Sequence, residues 1–319
     1  RYGADYLRAA DAHLTVGGVA PGLGLVERGY LFLASPAGIA ALEDNHAQQR
    51  SLGVDVALLD PGALAARYPW LATDGVALGS LGLAGEGWFD GWSLLQAFRR
   101  KARALGAAYV HAEADGFVTR GAAIAAARLA DGGTLAADTF VDAAGPWAAR
   151  VASWVGVDLP VRARRRSVFV WTCPTPLPDC PLVIDPAGLW FRPEGERRFI
   201  GALAPPADDD PDDAPLTPDH ARFDEGLWPL LARRVPAFAA LRAVGAWAGY
   251  YEVNTFDHNG IVGAHPYWTN LVIANGFSGH GLQQSPAVGR GVAELIVHGR
   301  FRTLDLTPLA FERIARGEP

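Results

Sequence analysis

The sequence predicts an α/β fold interrupted by an inserted antiparallel β-sheet, and three observations carry that prediction. Two apolar segments, 139–145 (T-F-V-D-A-A-G) and 271–275 (L-V-I-A-N), each read as a buried strand that runs through small residues into a helix. That is the strand–turn–helix unit of α/β sheets. Between them, from about 161 to 240, the apolar runs S-V-F-V-W, P-L-V-I, G-L-W-F and R-F-I-G-A-L are short and divided by Pro, Gly and Asp turns, as in antiparallel sheets. Outside that block helical and strand patterns alternate.

The elements follow in order. Residues 29–34 (G-Y-L-F-L-A) read as a strand, and Ser35-Pro36 supplies an N-cap and an N1 proline for a helix to about Arg50. Asp60-Pro61 repeats the signal for a short helix ending near Tyr68-Pro69. Asp90 caps a stronger helix with apolar Leu94, Leu95, Phe98, Ala102 and Leu105, closed by Gly106 at C′. A strand is expected over 107–111, then a β-meander over 116–137, then the strand 139–145 with a helix from Pro146. The acidic stretch 207–214 (A-D-D-D-P-D-D-A) reads as a solvated loop, and the run 162–166 (R-A-R-R-R) as the solvated face of a strand. A helix over 218–234 precedes the last strand, 271–275, whose Gly-rich turn feeds a helix to about His298.

Composition narrows the function. The chain has 319 residues, 50% of them hydrophobic, enough for about two domains and a sizeable core. A net charge of −6 leaves no basic face to neutralise nucleic-acid phosphates. No apolar stretch reaches the ~18–20 residues of a membrane span, and the opening R-Y-G-A-D-Y-L-R has no apolar core of a signal peptide. The two cysteines, Cys173 and Cys180, read as unpaired thiols in a reducing cytoplasm. Lys101 is the only lysine, so lysine chemistry has no other candidate. The eight histidines are scattered without metal-ligand spacing, so no metal is expected, and no G-x-S-x-G marks a hydrolase.

The segment N-G-F-S-G-H-G-L-Q-Q is the sharpest motif. Gly276, Gly279 and Gly281 let a ligand approach the backbone, and the helix start behind them offers unpaired N–H groups to negative charge. The segment D-A-A-G-P-W-A-A-R, with Ala143, Ala144 and Gly145 after a strand, has the same logic. The string G-L-G-L-V-E (22–27) lacks the third glycine of a dinucleotide fingerprint, runs into a strand, and is rejected.

Taken in order, R-G-Y-L-F-L-A-S, G-E-G-W-F-D, A-A-G-P-W, W-F-R-P-E-G, W-A-G-Y-Y-E-V-N-T-F-D-H-N-G-I-V-G and N-G-F-S-G-H-G-L-Q-Q make the chain resemble the D-amino-acid oxidase/sarcosine oxidase superfamily of FAD-dependent amine oxidoreductases. The likeness is greatest to its glycine and sarcosine dehydrogenase-like branch. It implies a glutathione-reductase-type FAD fold, with a Rossmann-like FAD domain (77–158 and 243–300), an antiparallel substrate domain (8–76 and 159–242) and a tail (301–319). The family's N-terminal GxGxxG unit is not in the sequence, which also has no Met. The sequence therefore reads as a fragment, or as a chain that has lost its main FAD anchor.

The resemblance sets Ala143, Ala144, Gly145 and Trp147 along the FAD ribose–pyrophosphate and the Ala114 backbone at the adenine. It brings Gly279, His280, Gly281, Leu282 and Gln283 to the flavin pyrimidine edge. Gln283 stands where sarcosine-type oxidases carry an oxygen-activating Lys, which implies a dehydrogenase rather than an oxidase, with an unidentified electron acceptor. Glu252 stands where an Arg binds the substrate carboxylate. Either Arg192 takes over that role, or Glu252 with Tyr250 and Tyr251 binds an amine. His258 and His280 read as structural or flavin-contacting. The implied reaction is oxidation of the C–N bond of a small amine or amino acid by hydride transfer to flavin N5. Its rivals are a flavin-binding assembly protein without turnover and an FAD-free remnant. A homo-oligomer stays open.

Overall fold

The computed structural model describes residues 1–206 and 208–318. The chain opens with helices α1 (Tyr2–Arg8) and α2 (Ala10–Leu14), then strand β1 (Tyr30–Ala34), helix α3 (Ile39–Ser51), β2 (Val56–Leu59), α4 (Pro61–Arg67) and β3 (Leu78–Gly82). Helix α5 (Gly91–Ala104) leads to a meander of β4 (Ala114–Arg120), β5 (Ala123–Leu129) and β6 (Thr134–Ala136). Strand β7 (Phe140–Asp142) passes through a tight 3₁₀ turn, Gly145–Trp147, into α6 (Ala148–Ser153). The antiparallel block holds β8 (Val161–Thr172), β9 (Leu182–Ile184), β10 (Leu189–Pro193), β11 (Arg198–Leu203), a π-helical turn (Arg222–Leu227), α7 (Trp228–Arg234) and β12 (Arg242–Asn254). The chain then returns through β13 (Ile261–Ala264), β14 (Leu271–Asn275), α8 (Gly281–His298) and α9 (Glu312–Arg316).

An eight-stranded sheet, ordered β12-β8-β11-β10-β9-β1-β3-β2, dominates the molecule. Its ladders are antiparallel except for β1 beside β9. One face is closed by α4, α7 and a 3₁₀ segment, Pro236–Ala240, over Leu31, Phe169, Val183 and Phe191. Phe238 sits at the centre of that core, with the Trp171, Phe191 and Phe199 rings 5.6, 5.3 and 5.0 Å away, all near edge-on. Each such ring, fully buried, contributes roughly 1.5–3 kcal/mol. A smaller sheet, β13-β14-β7, places β7 parallel to β14, so the two strands of the sequence-predicted strand–turn–helix units are neighbours.

Several expectations are corrected. Residues 107–111 form no strand; they are exposed, and no described strand offers them a ladder. The string 22–27 leads into β1 as expected, with the bridge Val26–Trp88 formed on the way. Helix α5 has the expected cap, with Asp90 accepting from the Trp92 and Ser93 N–H groups at 2.9 and 3.2 Å. Its buried stripe is narrower than expected: Leu94 and Ala97 pack on α1 and α2, whereas Leu95, Ala102 and Leu105 face outward. The acidic loop is not simply solvated. Ala207 lies outside the described residues, but Asp210 receives Arg166 in a two-pronged pair (2.7 and 2.9 Å) and Asp212 receives Arg164 at 2.8 Å. The arginine run on β8 is thus a seat for the acidic loop. Cys173 and Cys180 are both unpaired and buried.

The ion pair Arg234–Asp185, almost wholly buried, ties the large core to its loops: Nε–Oδ2 is 2.5 Å, and Nη1 also donates to the Ala72 and Asp74 carbonyls. Removing one partner leaves an uncompensated buried charge. Arg234→Ala should therefore cost about 3–5 kcal/mol in urea unfolding, and Asp185→Ala/Arg234→Ala should lose less than the sum of the single losses. Additive losses would show that the two groups do not act as a pair.

Candidate active site

The two glycine turns meet at the carboxyl ends of β7 and β14, where open α/β sheets bind ligands. Asp142 ends β7, and Asn275 ends β14. The Ala144 N–H donates to Asp142 Oδ1 at 3.1 Å, and Asn275 Nδ2 reaches toward the Asp142 carbonyl at 3.4 Å. Asp142 Oδ2 and Asn275 Oδ1 are both buried without a hydrogen-bond partner. Two orphaned polar atoms beside two backbone turns mark a place where a polar ligand completes the structure. Gly145 adopts φ +57°, a conformation that L side chains rarely adopt, so the turn after β7 stays free of a side chain.

The second turn, Gly276–Gly281, is pinned to the edge of β12. Val253 bridges Phe277, the Ser278 N–H donates to the Glu252 carbonyl at 3.1 Å, and the Asn254 N–H donates to Ser278 Oγ at 3.0 Å. Helix α8 starts there and is gripped from two sides. A Cβ on Gly3 of α1 would lie 2.4 Å from the Gln283 carbonyl oxygen, and one on Gly91 of α5 would lie 3.1 Å from Leu282. His280 is the N-cap of α8, and His280, Leu282 and Gln283 are exposed.

The face of the large sheet turned away from its core carries Tyr30, Phe32, Trp190, Arg192, Trp247 and Tyr251. Their side follows from the ladder pairs Phe32↔Ile184↔Trp190, Arg192↔Ile200↔Val170 and Trp247↔Val168, because paired residues project to one side. Tyr251 lies flat on the second turn: a Cβ on Gly279 would fall 2.3 Å from its ring. The Arg166 guanidinium stands 5.5 Å from the centre of that ring. Burial pushes the Tyr251 phenol up, and Arg166 opposes the shift. Burial also raises Tyr30, with Glu86 adding and Arg192 opposing.

The sequence-nominated residues do not form one cluster. Tyr251 and Arg192 share the open sheet face, while Tyr250 and Glu252 alternate to the other. The Tyr250 hydroxyl donates to the Ala214 carbonyl at 2.8 Å, and its ring meets Trp147 edge-on at 6.4 Å. Arg192 is already engaged, paired with Glu194, donating to the Pro193 carbonyl and lying 5.5 Å from the Trp88 ring. Ala114 opens β4 in the separate meander, and Ala143 and Trp147 are exposed beside Gly145. His258 adopts φ +61° in a turn organised by Asn254.

Two acids escaped nomination. Asp142 was legible as a carboxylate closing an apolar strand, T-F-V-D. Glu86 was legible only as an acid between two glycines. Its Oε2 accepts from the Tyr30 N–H at 3.2 Å and fills the space a Cβ on Gly82 would need; burial pushes it up. It lines a cleft of about 570 Å³ together with Tyr2, Tyr30, Phe89, Gln283 and Gln284. A cleft of about 670 Å³ between Trp88 and the proline-rich 176–178 loop includes none of these α8 residues. Among the described residues no group of His, Cys, Asp or Glu is placed to hold a metal, and no helix is long and apolar enough to cross a membrane.

A crevice at the carboxyl ends of two parallel strands, bounded by two glycine-bearing turns and set beside an antiparallel sheet, is the arrangement of a dinucleotide-binding protein of the α/β class. Residues 2–295 match the DAO family, described as FAD dependent oxidoreductase, and the chain belongs to that family. It is 44% identical to FAD-dependent oxidoreductase domain-containing protein 1 of Xenopus laevis, over 91% of this chain and 64% of that protein. It is 30% identical to the glycine oxidase of Geobacillus kaustophilus, over 91% of this chain and 75% of that protein. In fold it is similar to the L-proline dehydrogenase of P. horikoshii, with a TM-score of 0.87 at 24% identity over 99% of this chain and 82% of that one. The chain thus spans somewhat under two thirds of the frog relative's length. The family's cofactor is FAD, and the orphaned Asp142 and Asn275 atoms and the open Gly145 turn fit it.

Burial drives the Asp142 carboxyl up to about 6, with the charge of Glu252 adding to the rise. The unfolded chain holds that proton only below about pH 4. Folded Asp142 therefore retains it between about pH 4 and 6, and stability falls as pH rises through that window. Asp142→Asn keeps an acceptor for Ala144 and removes the charge. Without FAD, the variant should melt several degrees above wild type at about pH 8 and no higher near pH 4, read by calorimetry. An advantage independent of pH would show that charge is not its cause.

Proposed function

We propose that the protein is an FAD-dependent dehydrogenase acting on the C–N bond of a small amine or amino acid. The observation that carries the reading is the start of α8, where Gln283 faces a cleft shared with Tyr30 and Glu86 and no lysine stands near. FAD, when bound, would supply the hydride-accepting chemistry. Ala143, Ala144, Gly145 and Trp147 after β7, and Gly279, His280, Gly281, Leu282 and Gln283 at the start of α8, are the residues that would hold it, with Ala114 as the residue that would meet its adenine. The FAD-binding part comprises 77–158 and 243–300, the substrate-binding part 8–76 and 159–242, and 301–319 is the tail.

On the substrate side the protein's task is to bind and orient. Tyr251 and the open sheet face shield the reacting bond from water, and Glu86 offers a carboxyl to an ammonium group. Arg192, held by Glu194, is poorly free to clamp a carboxylate, which favours amine recognition over a carboxylate clamp. The buried unpaired thiols suit a reducing compartment, the cytoplasm in this reading.

The full-length protein loaded with FAD should lose its visible flavin bands when sarcosine, glycine or proline is added without oxygen, and should pass electrons to an artificial acceptor faster than to dioxygen. Flavin bands that no amine bleaches would favour an assembly role without turnover. Gln283→Lys should raise the rate at which dioxygen reoxidises the reduced protein by about tenfold, equivalent to ~1.4 kcal/mol of barrier. Rapid reoxidation of the wild type would identify an oxidase instead.

A further inference from the structure

Glu252 touches both glycine turns. Its Oε2 lies 3.7 Å from where a Cβ on Gly145 would stand, and its Oε1 3.4 Å from where one on Gly281 would stand. It pairs with Ala163 of β8, on the face opposite Tyr251, so it points at the crevice between β7 and β14 and not at the open sheet face. Burial pushes its carboxyl up, and the N–H groups of Gly276 and Phe277, which favour the ionised form, only partly offset that rise. Asp142, the second acid of the crevice, lies within electrostatic reach of it and keeps an unpartnered oxygen.

Among the described residues no cation pairs with either acid. Arg165, the arginine on the same face of β8, is committed to the Pro215 and Thr217 carbonyls and to Asp219. From the second turn the titratable group is His280, which is exposed; Ser278, Asn275, Trp147 and the first residues of α8 carry no charge. FAD is itself a dianion through its pyrophosphate. A crevice that holds two ionised carboxylates and takes up that dianion would concentrate like charge in a poorly solvated space.

We propose that Glu252 meets the cofactor as the neutral acid, so that FAD binding carries a proton into the Glu252–Asp142 pair. The balance is one FAD and one proton entering together, with no bond made or broken in the cofactor. Glu252 is then a positioning residue for FAD: protonated, it donates a hydrogen bond into the crevice between the turns and leaves the positive end of α8 unopposed. Burial, which raises both acids, favours that protonated form. The inference rests on the FAD reading of the site and is independent of the substrate.

The test is FAD binding to the cofactor-stripped full-length chain, followed by quenching of flavin fluorescence, with calorimetry in two buffers of different ionisation enthalpy to count protons. Wild type should bind about tenfold more weakly for each pH unit above the titration of the pair, the slope for one proton taken up. Glu252→Gln, which keeps the shape and a donor, should bind at least tenfold more tightly than wild type at about pH 8 and lose most of that slope. Unchanged melting of the stripped variant at low pH would confirm an intact fold. Weaker binding by Glu252→Gln with the slope retained, as expected of an ionised carboxylate accepting from cofactor hydroxyls, would overturn the proposal. So would equal affinity and equal slope in both proteins. Failure of both proteins to bind FAD at any pH would overturn the cofactor reading as well.

Discussion

The pairing of β8 with β12 is the constraint on which the rest of the molecule depends. It runs without interruption from Val161↔Asn254 to Gly245↔Val170, and past one irregularity to Arg242↔Thr172. At one end it carries Phe169 and Trp171 into the aromatic core. At the other it extends to Ala163↔Glu252 and Val253, where it meets the turn before α8. This two-stranded ribbon thus fixes the distance between the core and the crevice at the ends of β7 and β14. Its period of two decides which side chain serves which: Tyr251 on the open sheet face, Glu252 in the crevice. A one-residue slip would exchange them.

Polar ties lock the crevice to the end of the chain. Asn254, fully buried, gathers Asp257 Oδ1 and the Asn259 carbonyl at 2.9 and 2.6 Å. Arg313 of α9 closes on Asp257 and on the Gly260 carbonyl. Glu294 of α8 accepts from the Thr303 hydroxyl and N–H, from Arg290 and from the Arg302 N–H, which hold its carboxyl down at about 2. The motif N-T-F-D-H-N-G therefore serves as a fastener, and His258 belongs to its turn. A family-specific motif can be specific because of architecture alone.

The strand–turn–helix units were legible because they combine two strong signals, a short apolar run and glycines where a side chain would intrude. Strand β14 and helix α8 have the bounds the sequence suggests. The meander and the antiparallel block were legible for the same reason, with turn residues dividing apolar runs. Strand β12 was not read, although it is the longest described, because W-A-G-Y-Y-E-V-N alternates small, aromatic and charged residues without a clean apolar face. The seat of the acidic loop was hidden because opposite charges 44 residues apart, Arg166 and Asp210, leave no local pattern. The candidate site shared that limit. Periodicity could show that Tyr250, Tyr251 and Glu252 alternate, but which face meets the crevice depends on a partner strand some 90 residues earlier.

The electrostatic sign of the site is the deepest consequence of this arrangement. Asp142, Glu252 and Glu86 are all acids raised by burial, while Arg192 and Arg166 spend their charge on Glu194 and Asp210. The positive end of α8 is the fixed charge that opposes them. Under the proposed reading, a site so composed takes up an anion once its carboxyls are neutralised, and it favours a partner that arrives with positive charge or with a proton. Under the proposed reading both ligands comply, the amine by bringing an ammonium to Glu86 and the cofactor by bringing a proton to Glu252. Gln283 fits the same balance: a neutral side chain at the head of α8 leaves the helix terminus, and not a lysine, to answer negative charge. On that argument, the neutral Gln283 at the head of α8 and the carboxyl of Glu252 beside the turn before it are two parts of one electrostatic balance.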